Sequence, residues 1–374
     1  MLAVGIIAMF ALGGASQAAL VKVWEAKAGQ IYSFHPGPRD SEHFVVDAVI
    51  EGQRRWPLRF DPKSKSFRIL AEGRYYPQNP ANGVLVYVLR DVRTGGWPAP
   101  YTLSVYRITD GALLAEHVME EEYYVPSVHG RQVVMTRNNA PALEIDGITG
   151  DPLPPMPERK RYGVIWDSPK RRLMVEYGRP FPDADYLVEA EPSTYKVIRR
   201  VALNGGAWPV EGLLGNPDNG PFAIEQNFVG VGTETFLFTA FTKELKPSPV
   251  GGGADYYMYD VGPLGILGSP NRGYPPPESG DRFPELQRVD VATGKILWRK
   301  KEFANSRARW MGAYAVALKG NALHLLDGRD GRLISKVEVP QGAKILGVQG
   351  KTLLIHEYYS GIVQGWRVVD DAGA

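Results

Sequence analysis

The residues able to do chemistry are few and scattered along the chain. Three successive acids, Glu120–Glu122, cannot converge on one cation, because the side chains of a strand alternate between its two faces. Ser269 is followed directly by Pro270 and lacks the Gly-x-Ser-x-Gly pattern of a nucleophile elbow. No pair of histidines has the i, i+4 spacing of a helical zinc site or the His-x-His spacing of one strand face. The six histidines are His35, His43, His117, His129, His324 and His356. The sequence therefore assigns no catalytic residue and no metal ligand.

Charge and cysteine content exclude several classes of site. The 374 residues include 43 Lys and Arg and 41 Asp and Glu, which give a formal net charge of +2. A nucleic-acid-binding protein needs a basic stripe with interleaved aromatic residues, and none is found, so we expect no nucleic-acid partner. The chain has no cysteine. Disulfides and thiolate metal sites are therefore excluded.

The composition favours an all-β architecture. The chain contains 42 Gly, 30 Pro and 19 Tyr, and few stretches have a helical pattern. Gly and Pro interrupt helices and form tight turns, whereas Tyr, Val and Ile suit strands. A chain of this length is too long for one ordinary core, but a ring of repeated sheets avoids that limit because each sheet packs only against its neighbours.

An internal repeat supports the ring. Its copies share an apolar strand, an Asp, a short turn with Thr or Gly, and a second strand, which together describe a β-hairpin. Asp before the turn can accept backbone N–H groups and hold it. The clearest copies are Leu286–Trp298 (LQRVDVATGKILW), Leu323–Ile334 (LHLLDGRDGRLI) and Leu143–Gly150 (LEIDGITG).

The spacing of the copies predicts a β-propeller. Anchor positions at 61, 107, 146, 191, 290, 327 and 370, with a degenerate copy at 238–246, lie about 44 residues apart, which is typical of a four-stranded blade. We expect about eight blades, with seven as the alternative. The strand Val21–Glu25 resembles the one that ends at Trp298, and we expect it to pair with Trp366–Asp370 and complete the last blade.

The first residues resemble an export signal. Leu2–Leu12 is almost continuously apolar, and Ser16 and Ala18 suit a signal-peptidase site. The apolar run has about 12 residues, whereas a bilayer needs ~20. We therefore predict a signal peptide, or an uncleaved anchor, at residues 1–18. A single propeller domain at 19–374 would follow, without a transmembrane span and with a periplasmic or secreted location.

The stretch from Asp290 to Trp298 resembles the repeat of the quinoprotein dehydrogenase-like propellers. This family of pyrroloquinoline-quinone (PQQ)-type repeats includes quinone-dependent dehydrogenases and non-enzymatic members that act in outer-membrane assembly. The resemblance implies the fold. For the dehydrogenases it also implies PQQ and a calcium ion held by Glu, Asn and Asp, but no such set can be assigned here. We expect the eight Trp residues to pack between blades rather than to bind a ligand.

One segment interrupts the repeat and is the predicted partner-binding site. Residues 247–284 are rich in Gly, Pro and Tyr and are expected to form a long insertion. Tyrosines suit partner surfaces because they offer a large contact area and a polar tip. The alternative is that residues 255–260 form an ordinary blade strand. The predicted partner-binding residues are Tyr256, Tyr257, Tyr259, Tyr274 and Trp208.

Three functions follow from these observations. The sequence favours a non-catalytic exported propeller that acts as a protein-binding or assembly scaffold through its face loops, with no cofactor. A PQQ-type quinoprotein dehydrogenase, with PQQ and calcium, is one alternative. A calcium-dependent propeller hydrolase or lactonase is the other, since Phe60-Asp61-Pro62-Lys63 faintly resembles lactonase repeats.

Overall fold

Antiparallel hairpins follow one another along almost the whole chain in the computed structural model, and they assemble into a β-propeller. Its one helical element within the described residues is the short 3-10 helix Lys301–Phe303. The structure describes residues 18–369 except 39, 51–54, 72–74, 79–84, 92–100, 120–126, 130–131, 138–139, 147–148, 153–160, 169, 178–183, 193–195, 204–209, 231–232, 252–255 and 272–280.

The first four blades are consecutive in the chain. Blade 1 consists of β2 (Gln30–Pro36), β3 (Phe44–Val49), β4 (Arg55–Asp61) and β5 (Ser66–Ile69). Blade 2 consists of β6 (Tyr75–Gln78), β7 (Leu85–Asp91), β8 (Tyr101–Arg107) and β9 (Leu113–Met119). Blade 3 consists of β10 (Ser127–His129), β11 (Gln132–Arg137) and β12 (Ala140–Asp146), and blade 4 of β13 (Arg161–Asp167), β14 (Arg172–Tyr177), β15 (Ala184–Ala190) and β16 (Val197–Ala202).

The last four blades bring the two ends of the chain together. Blade 5 consists of β17 (Val210–Gly215), β18 (Phe222–Gly230), β19 (Thr233–Phe241) and β20 (Pro247–Gly251). Blade 6 consists of β21 (Tyr256–Gly262), β22 (Gly265–Pro270), β23 (Leu286–Val289) and β24 (Ile296–Lys300). Blade 7 consists of β25 (Arg307–Met311), β26 (Tyr314–Lys319), β27 (Ala322–Asp327) and β28 (Leu333–Glu338). Blade 8 consists of β29 (Ala343–Gln349), β30 (Thr352–Glu357), β31 (Ile362–Val369) and β1 (Ala19–Lys27).

Within the described residues, seven of the eight sheets have four strands, and the sheet of blade 3 has three. Pro152 makes an isolated bridge to Ile145 where the fourth strand of blade 3 would begin. The all-β propeller is confirmed. The number of four-stranded blades within the described residues is seven, the number given as the alternative to eight.

The repeated Asp turns form as predicted. The N–H of Gly294 donates to the carbonyl of Asp290 at 2.9 Å, and the Asp290 carboxylate accepts the N–H of Thr293 at 2.8 Å. The turn at Asp327 repeats the first of these bonds through Gly331 at 2.8 Å. Both glycines have φ near +70°, a conformation that favours glycine. The hydrogen bonds of the Asp turn therefore determine where the fourth strand of these blades begins.

The ends of the chain close the ring in blade 8. Strand β1 pairs antiparallel with β31, so that Val21 opposes Arg367 and Lys22 opposes Trp366. The indole of Trp24 stacks on Phe60 of blade 1, with ring centroids 4.2 Å apart. Trp298 occupies the same kind of place between blades 6 and 7, where its Nε1 donates to the Gly328 carbonyl at 3.1 Å. The predicted closure and the inter-blade role of these tryptophans are confirmed.

The order of the strands fixes two faces and an axis. First strands of neighbouring blades contact each other, as β21, β25, β29 and β2 do in succession, so they line the centre of the ring. Because consecutive strands run in opposite directions, the Asp turns lie on one face, here called the Asp-turn face. The turns between second and third strands, and the connections between blades, lie on the other. We call this second face the seam face, after the seam between blades 8 and 1.

Most of the described residues in the predicted insertion at 247–284 belong to blades 5 and 6. Residues 247–251 are the fourth strand of blade 5, and residues 256–270 form the first two strands of blade 6. Four successive large residues at 256–259, followed by a tight turn at 263–264, are typical of a buried strand and a hairpin. The Gly, Pro and Tyr content of the surrounding segment favoured a loop instead. The alternative of a blade strand at 255–260 is confirmed from residue 256.

Candidate partner-binding surface

The three predicted tyrosines of β21 pack inside the propeller. Tyr259 is only 5% exposed and belongs to the apolar cluster between blades 6 and 7. Tyr256 lies across Gly268, where an added Cβ would come within 2.5 to 2.7 Å of the phenol ring and hydroxyl. Tyr257 is half-buried, and its ring lies 5.4 Å from that of Phe238 in blade 5. These residues are therefore not the exposed loop surface that the sequence predicted.

The other two predicted residues, Tyr274 and Trp208, lie outside the described residues. The predicted signal peptide at 1–18 also falls outside them except for Ala18. No helix among residues that the structure describes is long and apolar enough to cross a membrane.

A different pair of tyrosines forms an exposed surface on the seam face. Tyr358 and Tyr359 lie in the turn between β30 and β31 of blade 8. Tyr359 is 85% exposed, the highest value among the exposed large apolar side chains of the described residues, and Tyr358 is 40% exposed. Their rings meet edge to face with centroids 5.6 Å apart.

Contacts across the seam hold these tyrosines in place. The side-chain amide of Gln30, at the start of β2, donates to the Tyr358 hydroxyl at 2.5 Å. The Lys344 ammonium of β29 lies 5.1 Å from the centroid of the Tyr358 ring, within cation–π range. The carbonyl of Gly361, in the same turn, accepts the N–H groups of Ala28 and Gly29 at 2.8 and 3.0 Å. The turn is thus fixed to the connection that joins blade 8 to blade 1.

A third tyrosine extends the surface onto blade 1. Tyr32 is 50% exposed at an irregularity in the pairing of β2 with β3. The guanidinium carbon of Arg55 lies 3.9 Å from the centroid of the Tyr32 ring. Arg55 also lies 3.6 Å from the buried carboxylate of Asp47. The Tyr32 ring and the Asp47 carboxylate both lie close to the Arg55 guanidinium, so its positive charge has a defined position beside an aromatic ring.

We call this set of residues the seam surface: Tyr32, Arg55, Lys344, Tyr358 and Tyr359. It combines the residue types that dominate the binding energy of protein interfaces, aromatic rings and cations. The acid nearest in sequence, Glu357, is buried and bound by Gln364 and Ser360, so it does not offset the exposed cations. The surface is therefore aromatic and carries two cations, of which Arg55 is paired with the buried Asp47 carboxylate.

Sequence reasoning missed the seam surface because Gln30 and Tyr358 are 328 positions apart. One signal was present: the repeat places Tyr358-Tyr359 in a turn between two apolar strands, where side chains are exposed. Tyrosines are more closely spaced at 256–259, and the sequence analysis therefore favoured that segment instead.

A charged cleft of about 460 Å³ lies between blades 4 and 5 on the Asp-turn face. At its base the carboxylate of Glu189 accepts Arg171 at 2.7 Å and Arg199 at 2.6 Å. Burial opposes ionisation of Glu189, but these two guanidinium bonds outweigh it and hold the pKa of the carboxyl below its usual range. Arg171 and Arg199 also donate to the Pro217 and Glu244 carbonyls of blade 5. The ion pairs lie within blade 4, and the same two arginines join blade 4 to blade 5 through these carbonyl hydrogen bonds.

No three His, Asp or Glu side chains among the described residues converge on a point that could hold a metal. His35 and His356 are buried in blades 1 and 8, and His356 Nε2 lies 3.1 Å from the carbonyl of Gly29.

Comparisons with known proteins add little beyond the fold. No family model matches the chain, and no curated protein matches it in sequence. BamB from Moraxella catarrhalis has a TM-score of 0.47 and 13% identity, covering 93% of this chain and 98% of its own. The computationally designed Ika8 protein has a TM-score of 0.47 and 11% identity, with 91% and 100% coverage. The β-propeller domain of Cps50 (Swd1) from Myceliophteria thermophila has a TM-score of 0.45 and 12% identity, with 94% and 100% coverage.

Proposed function

We propose that this propeller is a non-catalytic scaffold that binds an acidic protein partner through the seam surface. The observation that carries the proposal is Tyr359, which is 85% exposed on a turn that is fixed to the neighbouring blade. An exposed aromatic side chain on a rigid backbone loses little entropy on binding and supplies a large contact area. The flanking cations Arg55 and Lys344 favour a partner of opposite charge.

The N-terminal sequence supports a further part of the proposal, export from the cytoplasm. The apolar run Leu2–Leu12 and the small residues before Ala19 have the form of a cleavable signal. The repeat around Asp290–Trp298 supports a place among the quinoprotein dehydrogenase-like propellers, of which the scaffold members rather than the dehydrogenases fit this proposal. Fractionation of cells and the N-terminal sequence of the recovered protein test the export.

The test of binding compares variants that differ only at the seam surface. Wild-type protein, Tyr359→Ala, Lys344→Glu and Tyr186→Ala are immobilised and exposed to an extract of the source cells, and each captured protein is quantified. Tyr186 is a matched control because it is an exposed tyrosine in blade 4. Melting temperatures establish that all four proteins are folded.

The proposal expects one acidic protein to be captured by wild type and by Tyr186→Ala. Its recovery should fall by about tenfold or more for Tyr359→Ala, the effect of losing an interface hot spot, and also fall for Lys344→Glu. Equal recovery by all four proteins would overturn the role of the seam surface. So would a partner of basic charge.

A further inference from the structure

The centre of the ring carries a second group of cations, on blade 7. Strands β21 and β25 are the inner strands of blades 6 and 7 and contact each other. Arg307 and Arg309 lie two residues apart on β25, so their side chains leave the strand on the same side. Arg307 is exposed and Arg309 is half-buried. The Nη1 of Arg309 donates to the Tyr259 carbonyl of β21, which holds its guanidinium against blade 6.

Aromatic rings form one wall of this site. The ring of Phe283 lies 5.1 Å from that of Tyr257 and 6.1 Å from that of Tyr259. The guanidinium carbon of Arg282 lies 5.2 Å from the centroid of the Phe283 ring. Because the rings exclude water from one side, a charge placed against them is screened less than in bulk solvent.

The charges around Tyr257 are mostly positive. Burial raises the pKa of the Tyr257 phenol; Glu225 also raises it, and Arg307, Arg309 and Arg282 act in the opposite direction. The phenol is therefore neutral at physiological pH. Three guanidinium groups and one carboxylate thus act on this single ring. Within the described part of the chain, neither Arg307 nor Arg309 lies within salt-bridge distance of a carboxylate.

We propose that Arg307 and Arg309, beside the Tyr257 ring, form a carboxylate-binding site at the centre of the seam face. This site binds a run of consecutive acidic residues of a protein partner. A guanidinium offers a planar pair of donors that matches a carboxylate in a bidentate arrangement. One of the two guanidinium groups is already oriented by a backbone carbonyl, so less side-chain entropy is lost on binding.

The position of the site relative to the seam surface supports a peptide rather than a small ion. Strand β29 of blade 8 contacts β25 and carries Lys344, and β2 of blade 1 contacts β29 and carries Tyr32. Arg307 near the start of β25, Lys344 near the start of β29 and Tyr32 near the start of β2 therefore form a band of positions toward the seam face on three neighbouring inner strands. This inference rests on the proposed function, because it names the part of the partner that this band would hold.

The experiment measures fluorescence anisotropy of a labelled tetraglutamate peptide, with tetralysine as the reference peptide, on the full chain at low ionic strength. The variants are Arg307→Gln, Arg309→Gln and the charge-matched control Arg299→Gln. Arg299 is exposed on the outer strand β24 of blade 6. Arg307 is the principal position because its side chain is exposed, so its loss leaves the Arg309 contact to blade 6 intact. Tyr359→Ala is measured in parallel.

Tetraglutamate should bind wild type and Arg299→Gln, and binding should weaken about tenfold for Arg307→Gln. Binding should persist in Tyr359→Ala, because that side chain lies outside the carboxylate site. Equal binding by Arg307→Gln and wild type, or no preference for tetraglutamate over tetralysine, would overturn the site. If Arg307→Gln still captures the acidic partner as wild type does while Tyr359→Ala does not, the carboxylate site is refuted and the proposed function stands.

Discussion

Replacement of Trp24 by Ala tests how the ring is closed. Trp24 is buried between Phe60 of blade 1 and Gly365 of blade 8, and its ring stacks on Phe60 at 4.2 Å. Truncating a buried Trp costs about 3–5 kcal/mol. Native stability is commonly only ~5–15 kcal/mol, so this single change removes a large part of it.

The assay is thermal unfolding followed by circular dichroism. For a chain of this size we expect the melting temperature to fall by about 4–6 °C. Deletion of residues 19–26 should have a larger effect, because it also leaves the edge of β31 unpaired and open to aggregation. Trp298→Ala is the comparison, since that indole also joins two blades but lies far from the chain ends. A Trp24→Ala protein that melts within about 2 °C of wild type would refute the reasoning.

Three further changes probe other contacts of the same seam. Gly365→Ala should destabilise the protein about as much as Trp24→Ala, because an added Cβ would lie within 2.3 to 2.7 Å of the indole; an unchanged urea midpoint would contradict this packing. Gln349 accepts the Gly37 N–H and donates to the Pro38 and Ser41 carbonyls. Gln349→Ala should therefore speed proteolysis at residues 37–41, and an unchanged cleavage rate would argue against that role. Burial lowers the pKa of His35 from 6.5 to about 4, so the unfolded chain takes up a proton that the folded state excludes. Stability should therefore fall by about 3 kcal/mol from pH 6.5 to pH 4, and His35→Asn should reduce that slope in pH-dependent unfolding.

The parts of the fold that could be predicted are those governed by local chemistry. Asp290 and Gly294 are four residues apart, and the hydrogen bonds that make their turn are contained within that segment. The closure by β1 could also be predicted, because a missing last strand and a spare first strand are both visible in the repeat. An unpaired strand at a sheet edge is open to aggregation, so these two strands are expected to pair with each other.

The residues whose roles could not be predicted are those whose surroundings depend on tertiary packing. Tyr256, Tyr257 and Tyr259 resemble a binding loop in composition, but burial against Gly268 and Phe283 makes them part of a blade. The carboxylate site forms from β25 and β21, whose side chains meet only after blades 6 and 7 have packed. No short window of sequence contains both partners of such a contact.

The location of the seam surface follows from how the ring closes. Blade 8 is assembled from both ends of the chain, and the turn that carries Tyr358 and Tyr359 accepts N–H bonds from Ala28 and Gly29, the two residues that connect β1 to blade 1. Pairing of β1 with β31 is therefore what brings Gln30 within reach of the Tyr358 hydroxyl. If β1 separates from β31, the seam surface loses its support before the other blades need to change. A partner that binds the seam surface then binds only the closed ring, and by mass action its binding energy adds to the stability of closure.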